Sequence, residues 1–180
     1  MGLDMYLTKR TYIGNKHNTP EDQTKITQPK KETKIKQERI QYIIEEVGYW
    51  REANAIHQWF VNNVQDKEDD CEEYTVSPEQ LQILLDTVNT VLKASKLVKG
   101  KVQNGTQYTK KHGERPIMED GRIIKDPSIA QKLLPTTDGF FFGGTNYDQY
   151  YIEDLKYTKK LIEDLLKEDP TAYYTYSSSW

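Results

Sequence analysis

One segment, residues 77–97, limits the fold more than any other because it combines a helix-start signal with a regular apolar stripe. Ser77 is a favoured N-cap, Pro78 suits the first helical position, and Gln80 stands three residues after the cap, as in a capping box. The pattern predicts a helix over 78–97 that must bury one face against another layer. Its stripe recurs at spacings of three and four and consists of Leu81, Leu84, Leu85, Val88, Val91 and Leu92.

The rest of the chain adds a strand pattern and two more helices. Leu3, Met5 and Leu7 alternate with their neighbours, which predicts a strand. Residues 47–64, VGYWREANAIHQWFVNNV, carry apolar side chains at helical spacing, and a third helix is predicted over 147–167 with Asn146 as its cap. These elements indicate an α+β fold in which a small, mainly antiparallel sheet packs with three principal helices.

Length and turn signals define the predicted organisation. A chain of 180 residues matches a single domain, 1–180. Residues 14–31 are polar and rich in turn formers, which predicts a mobile surface loop, and residues 99–125 hold several turn signals, which predict a long irregular loop with room for a hairpin. The apolar run Phe140–Phe142 predicts a short strand.

Charge and composition exclude several classes of function. The chain has 25 Lys+Arg and 28 Asp+Glu, a net charge of -3, so binding to bulk nucleic acid or to an anionic membrane is not expected. No apolar run approaches about 18 residues, so we expect no membrane span. Cys71 is the one cysteine, which excludes an intramolecular disulfide and fits a reducing cytoplasm.

The sequence indicates neither a metal site nor a cofactor. The acidic run 69–73 offers oxygen ligands, but neighbouring residues cannot easily surround one ion. No nucleotide-binding fingerprint is present, and nothing around Cys71 resembles a protease signature that would pair it with His57. No catalytic residue is therefore assigned.

The first group of candidate ligand-binding residues lies in the segment 47–64. Trp50 could stack on a base, Arg51 could hold a phosphate, Asn54 could recognise the edge of the base, and His57 could contact phosphate or ribose. The alternative is structural: His57 is then a core histidine with both ring nitrogens satisfied, and Trp50 is a core side chain beside a surface arginine.

A second group follows the run of phenylalanines. Gly143 and Gly144 would let a ligand approach the backbone, while Thr145 and Tyr147 stand at a predicted helix start, where exposed amides attract anions. The alternative is again structural, a buried strand followed by a capped helix.

Four segments together resemble a known group of proteins: MGLDMYL (1–7), VGYWREANAIHQWFV (47–61), DDCEEY (69–74) and TDGFFFGGTNYDQYYIEDL (137–155). The chain resembles a widespread group of small, uncharacterised proteins encoded by bacteriophages and prophages. The resemblance implies an accessory protein that works inside a bacterial cell. It brings no catalytic residue with it.

These observations lead to a preferred hypothesis and two alternatives. The preferred function is a non-enzymatic phage protein that sequesters a nucleotide-derived signalling molecule in the bacterial cytoplasm and so counters host antiviral defence. One alternative is a protein–protein inhibitor of a host defence protein, with a homo-oligomer also left open. The other is a nucleotide hydrolase or phosphodiesterase that uses His57 as general acid or base.

Overall fold

The computed structural model describes residues 2–27, 35–109, 113–139 and 142–180. Within them the α+β fold predicted from the sequence is confirmed: helices and two antiparallel sheets alternate along the chain. The elements are, in chain order, β1 (Asp4–Tyr12), β2 (Tyr42–Arg51), α1 (Asn54–Asn63), β3 (Tyr74–Val76), α2 (Pro78–Ala94), β4 (Leu97–Thr109), β5 (Gly113–Ile124), α3 (Ser128–Leu133), α4 (Gln149–Glu168) and β6 (Tyr174–Ser179).

The main sheet has four antiparallel strands in the order β2-β1-β6-β3. On its inner face Met5 of β1 lies opposite Trp50 of β2, and Leu7 lies between Gly48 and Tyr176. Side chains on alternate positions point to opposite faces, so Tyr6, which pairs with Tyr49, lies on the outer face. A bulge after Leu7 keeps this division while β2 bends.

One hydrophobic core fills the space between the inner face and the helices. Gly48 lets α4 approach β2, since a Cβ there would come within 2.5 Å of Leu161. The ring of Phe60 in α1 stacks on Tyr176 of β6 with centroids 3.9 Å apart. The core also contains the apolar stripe of α2 and Ala130 of α3, so it joins the first strand, the last strand and four helices.

The prediction of one helix over 47–64 is wrong in its first half. Residues 47–51 belong to strand β2, and the helix, α1, begins at Asn54. Val47, Tyr49 and Trp50 favour strand, and Gly48 disfavours a helix interior. Pairing with β1 therefore decides the conformation.

The start of the 78–97 helix is confirmed in detail. The Ser77 side chain accepts a hydrogen bond from the backbone N–H of Gln80, and the Gln80 side chain accepts one from the backbone N–H of Ser77. The predicted cap of the last helix is corrected, because Asp148, not Asn146, accepts from the N–H groups of Tyr150 and Tyr151. Tyr147 is held outside the helix, since its carbonyl accepts from Ile124 N–H.

The predicted irregular loop at 99–125 is a regular element. β4 and β5 pair along most of its length as a long antiparallel ribbon, with a register shift between Gln103 and Thr106. The turn signals in the sequence correspond to the paired Gly100 and Gly121 and to this shift rather than to an open loop.

The predicted mobile loop at 14–31 is tied down over its first part. Asn15 is fully buried; its side chain donates to the carbonyls of Thr24 and Gln37 and accepts from Thr24 N–H. Residues 28–31 lie outside the described part of the chain, as do Phe140 and Phe141 of the predicted strand, whose remaining member Phe142 is in no strand. Among the described residues no helix is both long and apolar enough to cross a membrane.

Candidate functional site

A cleft of about 690 Å³ opens where four parts of the fold meet. Its walls are the β2–α1 junction, the shifted part of the β4–β5 ribbon, residues 136–138 and 143–146, and the first turns of α4. Lining residues include Arg51, Glu52, Ala53, Asn54, Ala55, Ile56, Gln103, Asn104, Gly105, Thr136, Asp138, Gly143, Gly144, Thr145, Asn146, Asp148, Tyr150, Tyr151, Asp154 and Leu155.

Some of the predicted ligand-binding residues line this cleft and others do not. Five of the eight line it, and they come from both groups: Arg51, Asn54, Gly143, Gly144 and Thr145. The fold thus brings together two segments that lie about 90 positions apart in the chain. Trp50, His57 and Tyr147 are not among the lining residues.

Trp50 is a core residue, 3% exposed. Its indole N–H donates to Thr158 Oγ1 of α4 at 2.9 Å, and its ring meets Phe60 and Tyr157 edge to face. An indole engaged on its edge and its faces has no surface for a ligand. Trp50 is therefore a core side chain, as in the structural alternative to ligand binding.

His57 is 1% exposed and has both ring nitrogens engaged. Nε2 lies 2.9 Å from an Asp69 carboxylate oxygen and Nδ1 lies 2.8 Å from the Tyr176 hydroxyl. A carboxylate only accepts, so Nε2 carries the proton of the neutral ring and Tyr176 donates to Nδ1. Burial raises the pKa of Tyr176 well above its ordinary value, so its hydroxyl stays a donor. His57 thus joins α1 to β6 and does not face the cleft.

Asn54 lies in the wall of the cleft, but its side-chain amide hydrogen-bonds to other residues of the protein. Its Nδ2 donates to the carbonyls of Phe142 and Gly144, both at 2.9 Å, and its Oδ1 accepts from Thr137 N–H at 3.0 Å. Asn54 therefore shapes the cleft by holding Thr137, Phe142 and Gly144 against α1. Tyr147 supports the same segment, since its hydroxyl accepts from Thr136 N–H.

The closest backbone approach in the cleft joins Gly143 and Glu52. Gly143 has φ +85°, and a Cβ at this position would lie 2.9 Å from the carbonyl oxygen of Glu52. Glu52 itself has φ +59°, which is uncommon for a residue with a side chain. The absence of a side chain at Gly143 therefore permits this close contact. A Cβ on Gly144 would meet nothing within 4 Å.

The sequence reasoning missed the main chemical feature of the cleft, which is its carboxylates. Glu52 and Asp138 lie at its exposed rim, while Asp148 and Asp154 lie on the α4 wall. No motif connects these four residues, because they come from three separate segments. Arg51 is the one cationic side chain that lines the cleft within the described residues, and its Nε lies 3.9 Å from Glu52 Oε1.

The two carboxylates on the α4 wall differ in their partners. Asp148 caps the helix, and burial raises its pKa against the opposing effect of the two backbone N–H groups it accepts from. Asp154 is half-buried and makes no side-chain hydrogen bond or ion pair to any described residue. Burial, with the nearby charges of Glu153, Asp148 and Glu52, raises the pKa of Asp154 to about 7.

The ribbon wall is held to α4 by hydrogen bonds. The Tyr150 hydroxyl donates to one carboxylate oxygen of Glu119 at 3.0 Å, and Asn104 Nδ2 donates to the other at 3.0 Å. Arg122 N–H donates to the Gln149 side chain at 3.0 Å. The cleft is therefore bounded on this side by a fixed strand pair.

The described residues hold no group of three or more His, Cys, Asp or Glu side chains arranged to bind a metal ion. The cleft can thus offer carboxylates, one guanidinium, tyrosine rings and backbone groups to an organic molecule. Comparison of the chain with protein-family models, with curated proteins and with solved structures finds no match.

Proposed function

We propose that the protein is a non-enzymatic binding protein that captures one small organic molecule in the cleft. The observation that carries the proposal is the pairing of a cavity of about 690 Å³ with Asp154, a half-buried carboxylate that has no protein partner among the described residues. Ligand pockets typically measure about 300–1,000 Å³ and contain a few polar groups that fix orientation. Asp154 is such a group.

The proposed ligand class is a nucleotide-derived molecule. Carboxylates accept hydrogen bonds from ribose hydroxyls and from amino groups of bases, and the exposed ring of Tyr150 supplies aromatic surface. Arg51 at the rim can pair with a phosphate. Because four carboxylates line the same cleft, a ligand with several phosphates would meet net repulsion. A ligand with little negative charge is favoured.

The biological role that we propose follows from the resemblance to small phage proteins. Capture of a nucleotide-derived signal in the bacterial cytoplasm would keep it from the host's defence proteins. A protein that binds without turnover needs no nucleophile and no general base. This agrees with the position of His57 away from the cleft.

A second candidate function, binding of a host protein, is supported by the outer face of the main sheet. Tyr12, Tyr42 and Ile44 are 59%, 41% and 65% exposed, and Arg10 lies over the Tyr42 ring at 3.8 Å. Exposed aromatic and arginine side chains are enriched in protein interfaces.

The experiment that tests the proposal is ligand extraction. The purified protein is incubated with nucleosides and cyclic mononucleotides, which carry little negative charge, and with cyclic dinucleotides and cyclic ADP-ribose-type compounds. Free ligand is removed, and the denatured protein is analysed by mass spectrometry. Gly144→Gln adds a side chain to the cleft wall at a position where a Cβ meets nothing within 4 Å, and Ile83→Gln on the exposed side of α2 is the matched control. An intact compound retained by the protein and by Ile83→Gln but lost in Gly144→Gln supports capture.

Two other outcomes point elsewhere. A chemically altered compound would show that the protein is an enzyme. Retention of no compound would reject the nucleotide-derived ligand, and the next experiment would be capture of a host protein with Tyr42→Ser as the surface variant.

A further inference from the structure

We propose that the ligand presents a positively charged nitrogen group to the α4 wall of the cleft, with Asp154 as its counter-ion. The inference rests on the proposed function, since it takes the cleft as a small-molecule site. It adds the chemical class of the group that is recognised and the direction in which the ligand enters.

The distribution of charge inside the cleft carries this inference. The carboxylates of Glu52, Asp148 and Asp154 approach one another from two elements, β2–α1 and α4, and Glu153 adds a fourth negative charge beside them. Arg51, the one cationic side chain that lines the cleft among the described residues, is exposed at the rim and already lies beside Glu52. An amidinium, a protonated amine or a cationic ring would relieve this repulsion.

The helix end that could attract an anion is occupied. The N–H groups of Tyr150 and Tyr151 in the first turn of α4 already donate to Asp148. On the facing wall, the side-chain amino group of Asn54 already donates to the carbonyls of Phe142 and Gly144. A phosphate that reached the α4 wall would therefore find carboxylates rather than free donors. A nucleotide-derived ligand is expected to enter with its base first and leave a phosphate near Arg51.

A bare metal ion fits these observations less well than an organic cation. The described residues hold no set of three or more candidate metal ligands, and the cleft is many times larger than an ion. A planar cation can instead contact Asp154 with its nitrogen and the exposed Tyr150 ring with its face.

The ionisation of Asp154 makes the inference testable by pH. The carboxyl is mostly protonated at pH 6 and mostly ionised at pH 8, because burial and the neighbouring acids raise its pKa to about 7. A cation binds the ionised form, so its affinity should rise with pH. One proton with this pKa gives a change of about tenfold between pH 6 and pH 8. Glu52, Asp148 and Glu153 are the other acidic groups that face Asp154, and Arg51 is the facing base.

The experiment uses two matched pairs of probes in isothermal titration calorimetry. Benzamidine is compared with uncharged benzamide, and N-methylnicotinamide cation with nicotinamide. Each is titrated into the full-length protein, into Asp154→Asn and into Glu163→Gln, a control that removes an exposed carboxylate from the same helix outside the cleft. Asp154→Asn should fold at least as stably at pH 8, because it removes a charge that burial disfavours.

We expect at least one cationic probe to bind the wild-type protein at least tenfold more tightly than its neutral partner at pH 8. Asp154→Asn should lose this preference and its pH dependence, while Glu163→Gln keeps both. Equal binding of charged and neutral probes, binding of neither cation, or full binding by Asp154→Asn would overturn the inference. If the cation inference fails but extraction still recovers a compound that Gly144→Gln does not retain, the proposed function stands without the inference. If extraction recovers no compound, the proposed function and the inference fail together.

Discussion

At the residue scale, the buried polar side chains explain why the candidate site differs from the one expected. Trp50, Asn54 and His57 are residue types that often contact nucleotides, and the sequence cannot show whether such groups face a ligand or the protein. In the fold each is engaged by partners elsewhere in the chain. Trp50 binds Thr158, Asn54 binds Thr137, Phe142 and Gly144, and His57 lies between Asp69 and Tyr176. Their contribution is to the shape of the molecule.

The first prediction concerns Tyr176. Tyr176→Phe removes the donor to His57 and leaves a buried ring nitrogen without a partner, so we expect a loss of about 1–3 kcal/mol in the free energy of unfolding. Tyr173→Phe, at a position 62% exposed, should change it by less than about 0.5 kcal/mol. Denaturant titration measures both. Equal effects would contradict the hydrogen bond to His57.

The second prediction concerns two adjacent glycines. Gly143→Ala would force a Cβ against the Glu52 backbone at positive φ, and should destabilise the protein by about 2 kcal/mol. Gly144→Ala meets open space and should be within about 0.5 kcal/mol of wild type. Thermal unfolding of the pair compares them directly. A Gly144→Ala protein as unstable as Gly143→Ala would show that the segment is packed differently.

At the scale of the elements, the sequence predicts well where a local signal and a periodic pattern agree. The capping box at Ser77 and the stripe of α2 define that helix almost completely, and the alternation in residues 3–7 identifies β1. Prediction fails where pairing with a distant strand decides the conformation. The side chains of Val47–Arg51 suit either a helix face or a strand, and pairing with β1 makes this segment a strand. The region of the β4–β5 ribbon was predicted as an irregular loop with room for a hairpin for the same reason. Its polar and turn-forming residues become long strands only because the two strands pair with each other.

The third prediction follows from the capping box. Ser77→Ala removes the acceptor for Gln80 N–H and should cost about 1 kcal/mol of stability. Ser95→Ala at the other end of α2 is the control, because the Ser95 hydroxyl makes no hydrogen bond to a described residue. Chemical denaturation of both variants tests this. An unchanged Ser77→Ala protein would mean that packing alone fixes the helix start.

At the scale of the whole molecule, the site depends on long-range assembly. The cleft takes walls from four parts of the chain, and its acidic residues share no motif, so the sequence could indicate several lining residues but not their common charge. Arg51 and Gly143 were predicted on chemical grounds, whereas Asp154 becomes notable only once α4 lies against the β2–α1 junction.

The fourth prediction concerns the position of β6 inside the main sheet. Deletion of residues 174–180 removes the strand between β1 and β3 together with the buried rings of Tyr174 and Tyr176. We expect the shortened protein to lose its cooperative thermal transition. Deletion of Trp180 alone, which is 51% exposed and donates one hydrogen bond to Asp69, should leave that transition in place.

The same strand order bears on how the protein is made. β1 can pair with β2 as soon as residue 51 is available, but its other edge has to wait for residues 174–179 to leave the ribosome. Between the synthesis of residue 51 and that of residue 174 the nascent chain therefore carries an open strand edge on β1. Chaperones that bind extended segments are expected to act on the chain in this interval, and slow codons within it would prolong the exposure.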